Sequence, residues 1–138
     1  MERLASQVRN ELAAAGLPVI THGLDPVLAG GAEVDIDDGA DAAGGVFVGW
    51  LASPRVRAST SRAFRLRQLD DPLLRHSSAI AAAMMQAMAA ILTSAGFTVE
   101  DANDEYRSHQ LRVTNGPAPG NAPIWSLRDD EVPMPGWM

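Results

Sequence analysis

The sequence predicts an α+β domain: two layers, with a four-stranded, largely antiparallel sheet and helices on one face, in the order α-β-β-α-α-β-β. Two periodicities and one length lead there. Apolar residues recur at helical spacing over 2–15 and 78–95, they alternate with polar ones around 33–37, 97–100 and 110–113, and the chain has 138 residues, the size of a single core. The domain is placed at 1–115, followed by a proline-rich extension over 116–138 that is expected to dock on it at least in part.

The first helix rests on Leu4, Val8 with Ala5, Leu12 and Ala15, a stripe at steps of four and three, and Gly16 and Pro18 stop it. Residues 17–32 form an irregular, Gly- and Pro-containing connection. From Glu33 the period becomes two, Val34 and Ile36 alternating with Glu33, Asp35 and Asp37, as in a strand with one wet face. Asp38-Gly39 opens a loop that Gly44-Gly45 closes. Val46 to Leu51, including Phe47 and Trp50, is apolar on both faces, so this second strand of the hairpin should be the more central one.

Ser53-Pro54 is a helix start, serine as N-cap and proline in the first turn. Residues 54–69 read best as a helix with Val56, Ala63, Phe64 and Leu66 inward; the competing strand alternates Phe64 and Leu66 with Arg65 and Arg67. Asp71-Pro72 repeats the start signal and leads into the long helix that ends before Gly96. Its large side chains Ile80, Met84, Met88 and Ile91, flanked by Met85 and Leu92, are expected to face the sheet. Phe97 and Val99, then Leu111 and Val113, mark two further strands joined by a polar loop at 102–108.

Composition narrows the function classes. There is no cysteine, hence no disulfide, thiolate nucleophile or sulfur-ligated metal, and the histidines His22, His76 and His109 fit no ligand spacing. All eleven basic residues are arginine in an alanine- and glycine-rich chain, the codon signature of a GC-rich genome, and a bacterial source is expected. A net charge of −6 argues against general attraction to nucleic acid or anionic lipid. Met1 to Gly16 has no signal-peptide layout, so a soluble cytoplasmic protein is expected. Residues 77–99 carry no charge, but alanine dominates where a membrane span would use Leu, Ile, Phe and Val, and a membrane role is not expected.

No catalytic residue, cofactor site or metal site is assigned. In the acidic run from Glu33 to Asp41, Gly39 falls one residue late for a calcium loop, and a wet strand face with an Asp-Gly turn accounts for every residue. No nucleotide-binding glycine loop or nucleophile elbow occurs, and Arg75-His76-Ser77-Ser78 suits an N-cap better than a catalytic pair.

What remains is surface. The side of the long helix bearing Ala79, Ala82, Gln86, Ala89 and Thr93 is uncharged, although a solvent-facing helix normally carries charge there. Arg55, Arg62 and Arg65 share a broad helical face, and Trp125 and Trp137 stand in the extension; these ten residues are the candidate interaction surface. The leading expectation is a small non-catalytic protein that binds a protein partner or itself as a homodimer. A first alternative is a ligand-binding domain or small enzyme with a pocket between sheet and helices, lined by Phe47, Trp50, Met84 and Met88 and entered past Arg75 and His76. A second is an anion or nucleic-acid binder acting through the arginines of 55–75, disfavoured because no aromatic residues interleave with them.

Overall fold

The structure, a computed structural model, describes residues 1–20, 29–37, 44–102, 110–117 and 123–125. Its elements are α1 (Glu2–Ala14), β1 (Gly31–Asp37), β2 (Gly45–Leu51), α2 (Pro54–Arg65), α3 (Pro72–Ser94), β3 (Thr98–Asp101) and β4 (Leu111–Asn115). The order is the expected one, and the four strands form one open, wholly antiparallel sheet, β1-β2-β4-β3. β2 is interior and β1 is an edge, as the apolar content of the two strands required. Residues 18–20 close the first part of that edge: Ala32 N–H donates to the Pro18 carbonyl (2.8 Å) and Ile20 N–H to that of Ala32 (2.9 Å).

Alternation divides each strand between two faces. Ala32, Val34, Val46, Val48, Leu111 and Val113 meet Ala5, Val8 and Leu12 of α1 and Met88 and Leu92 of α3 in a single core cluster with Phe97. α1 contacts β1 and α3, and α3 contacts β2 and β3, so both helices lie on this face, while α2 packs on α3. The segment 54–65 is thereby helix and not strand, and Ser53 caps it as expected, its Oγ accepting from Val56 N–H at 3.3 Å. Asp71 caps α3 in the same way, accepting from Leu73 N–H at 2.9 Å.

Two expectations about inward faces need correction. In α3 only Met88 and Leu92 are fully buried; Met85, Ala89, Ile91 and Ala95 pack partly against the core, and Ile80 and Met84 lie outside it, half-buried. The cause is length. A helix of 23 residues runs about 35 Å, whereas a seven-residue strand runs about 23 Å, so the sheet covers only the C-terminal part of α3. In α2 the inner stripe is Val56, Ser59, Thr60 and Ala63, and Phe64 and Leu66 face solvent. Small residues let α2 settle against α3, and the large side chains one position further round turn outward.

Met88→Ala should therefore lower the unfolding free energy by about 2–5 kcal/mol, and Ile80→Ala by only about 1 kcal/mol, in urea titrations of the two variants.

Candidate interaction surface

α1, α2 and α3 all terminate with the same pair of backbone hydrogen bonds, the Schellman arrangement. Leu17 N–H reaches the Leu12 carbonyl and Gly16 that of Ala13; Phe97 reaches Leu92 and Gly96 reaches Thr93; Gln68 reaches Ala63 and Arg67 reaches Phe64. The residue before the last must adopt a left-handed backbone. Gly16 (φ 93°) and Gly96 (φ 99°) do so freely, but the third is Arg67 at φ 56°. The α1 and α3 caps also join two apolar side chains, Leu17 with Leu12 and Phe97 with Leu92, whereas the α2 cap joins Gln68 with Ala63.

At this cap the apolar side chains point outward. Phe64 is 61% exposed, Leu66 50% and Leu69 66%, all within six residues. Arg62, Arg65 and Arg67 lie among them in the sequence, and these three, like Arg75 at the start of α3, are exposed. Position at the C-terminus of α2 gives Arg62 and Arg65 a favourable interaction with the helix dipole, which accounts for two of the charges. It accounts neither for Arg67 in a conformation suited to glycine nor for the three uncovered apolar residues.

Of the other sequence-designated surface residues, Arg55, Ala79, Ala82, Gln86 and Thr93 are exposed, and the four on α3 share its solvent side, opposite Met88 and Leu92. Ala89 does not belong to that set, because it packs partly against the core; the next residue, Ala90, is exposed instead. Trp125 is half-exposed, and its indole N–H donates to Glu11 Oε2 of α1 at 2.7 Å. Trp137 lies outside the described residues, as do Leu127, His22, His109 and the polar loop after β3.

The six residues of the alternative pocket are not brought together. Phe47 alternates with Val46 and Val48 and so faces away from the helices, whereas Met88 is in the core on the other side of the sheet. Trp50 and Met84 are half-buried on the helical side, and Arg75 and His76 are exposed in the first turns of α3. The described cavities are lined by other residues.

The face of the sheet turned away from the helices carries the charges the sequence placed there, around a buried Phe47. Glu33, Asp35 and Asp37 of β1 point to it, and Arg112 of β4 donates from Nη2 to the carbonyl of Gly44, the residue before β2 (2.6 Å), with Glu100 of β3 3.6 Å from Nη1. Gly45 and Gly49 make room: a Cβ on either would stand 3.3 Å from the side chain of Arg112 or Gln110. Arg57 of α2 donates from Nη2 to the Ala29 carbonyl at 2.6 Å. Burial raises the pKa of the Glu33 carboxyl; the Asp35 charge and a hydrogen bond with Asp35 act in the same direction, and Arg57 opposes them. Among the described residues no three His, Asp or Glu side chains converge as a metal site requires.

No family model matches this chain, and no curated protein and no solved structure matches it.

Replacing Arg67 by glycine should raise the unfolding free energy by about 1 kcal/mol in urea titration, the left-handed penalty being removed; an unchanged midpoint would mean that no such penalty exists here. Glu33 binds its proton more tightly folded than unfolded, so its ionisation opposes folding at neutral pH and the penalty disappears as pH falls through its raised pKa. Glu33→Gln should thus melt above the parent at pH 7, with the gap closing as the pH approaches 4.5, the ordinary value for the group. A variant that melts below the parent at pH 7 would contradict this.

Proposed function

We propose that this is a small non-catalytic protein that binds a protein partner or a second copy of itself through the α2–α3 hairpin. The observation that carries the proposal is the cluster of Phe64, Leu66 and Leu69, large apolar side chains left in solvent among three arginines at a helix cap that lacks its glycine. Single exposed apolar residues are ordinary, but three within six positions form a patch, and apolar patches with a polar rim mark contact sites. Arginine suits such a rim, since it pairs with carboxylates in bidentate fashion and stacks on apolar surface. The uncharged side of α3, with Ala79, Ala82 and Gln86, extends the same exposed surface and would admit another backbone closely.

A protein occupant is favoured over a bilayer. α3 is long and apolar enough to span one by length and composition alone, yet Met88 and Leu92 on it are committed to the core. Its exposed side is alanine, which gains little from hydrocarbon.

Light scattering and affinity capture test the proposal together. Self-association or retention of a protein partner should be present in the parent and lost in the double variant Phe64→Ser, Leu69→Ser. Because both side chains are exposed, the melting temperature of that variant should stay within about 2–4 °C of the parent. A strictly monomeric parent that retains no partner would sink the proposal.

A further inference from the structure

We propose that the cleft between α1 and the end of α3 binds a small organic cation, a primary ammonium group on a short apolar body. This goes beyond the hairpin surface and is independent of it. The cleft has a volume of about 380 Å³, within the range of small-molecule sites. Gln7, Asn10 and Glu11, one face of α1, form its polar wall, while Phe97, Pro117 and Ile124 supply apolar surface. A few convergent polar groups on a mostly apolar lining orient a ligand, and the groups present here select its charge.

Two sources of negative potential meet in the cleft, the Glu11 carboxylate and the C-terminal end of α3. Glu11 is its one ionisable lining residue among those described. It stands in the last turn of α1, where a carboxylate opposes the helix dipole and where no basic residue compensates. Ser94, Ala95 and Gly96 bring in the C-terminal end of α3, whose last turn likewise has no basic residue. Among the described residues, Glu11 receives one hydrogen bond, from the Trp125 indole on Oε2, a neutral donor that leaves the charge in place. Helix ends of this sign are ordinarily complemented by cations. The nearest basic side chain on a cavity wall, Arg3, lines the adjoining cleft, further back along α1. A protonated amine seated beside Glu11 would complement the carboxylate and the end of α3 at once, with its apolar body over Phe97.

The test uses phenethylammonium and its neutral counterpart 2-phenylethanol, titrated into the full chain and followed by tryptophan fluorescence and thermal shift. The ammonium should bind saturably in the millimolar range and at least about tenfold more tightly than the alcohol, the increment of one charge-assisted hydrogen bond. Glu11→Gln, which retains an oxygen to accept from Trp125, should reduce ammonium affinity about tenfold, to that of the alcohol. Ile124→Arg should do the same by placing a cation in the cleft, and Ile124, 77% exposed, contributes little to folding. The double variant Phe64→Ser, Leu69→Ser should bind the ammonium as the parent does, so failure of the hairpin proposal and of this one are separately visible. Equal binding of the two probes, no saturable signal up to about 20 mM, or a Glu11→Gln variant that binds like the parent would each overturn it; that limit lies roughly tenfold above the millimolar affinity expected.

Discussion

A mismatch of length between one helix and the sheet it lies on organises this molecule. α3 is about half as long again as the longest strand beneath it, and each of its ends must be covered. At the C-terminal end α1, Phe97 and the core strands do so, and all the fully buried residues of α3 are there. At the N-terminal end only α2 is at hand. Twelve residues with a narrow inner stripe of small side chains cannot bury much apolar area, so Ile80, Met84, Leu73 and Leu74 remain half-buried. Stability should accordingly be graded along α3, highest over the sheet and lowest at the hairpin, since local opening follows the density of buried apolar contact.

The three helix caps show where this grading was accepted without compensation. A glycine and an apolar clasp are the inexpensive way to finish a Schellman turn, and α1 and α3 use both, adjoining the core. α2 uses neither, although its end is the least supported by packing. A cap that sought stability would bury Leu66 or Leu69 against Ala63 and carry glycine at 67. Local strain that the surroundings do not require is a pointer toward function, and the exposed apolar residues beside it point the same way. The other face of the sheet behaves differently. There Arg112 ties β4 to Glu100 of β3 and to the Gly44 carbonyl at the start of β2, and the two glycines of β2 leave room for the side chains of Arg112 and of Gln110, the residue before β4, so these charges help hold the sheet together.

Most of the fold was legible because it rests on local signals. Period, proline-preceded caps and helix-ending glycines located all seven elements, and the apolar content of 46–51 identified the interior strand. The errors fell where facing depends on a neighbour's size. Phe64 and Leu66 were placed inward because they are large, yet the inner face of α2 is set by what fits against α3, and Ala63 fits. Ile80 and Met84 were placed in the core because helical spacing aligns them with Met88; spacing says which side of a helix a residue occupies but not where the sheet beneath it stops. Phe47 and Met88 were grouped in one pocket because both are large and apolar, and only the register of β2 puts them on opposite faces. Glu11 is not singled out as a site by the sequence: there it is a charge on an amphipathic helix, and only the fold brings the end of α3 to the same cleft.

The charges at the two ends of α3 bear on how these surfaces are to be understood. An isolated helix is stabilised by acids at its start and bases at its end. α3 meets this at its start, where Asp70 and Asp71 precede Pro72, but has no basic residue in its last turn and Glu11 across the cleft from its finish. Under the two proposals above, carboxylates of a partner would pair with the arginines of the hairpin, and an ammonium would complement the end of α3 in the cleft. For the proposed cation the acidic net charge of the chain would add long-range attraction, whereas an acidic partner would depend on the local field of the arginines, which salt screens within about 10 Å. In the proposed hairpin contact Phe64, Leu66 and Leu69 would then supply most of the affinity, and the arginines would chiefly decide which partner is admitted and in what orientation.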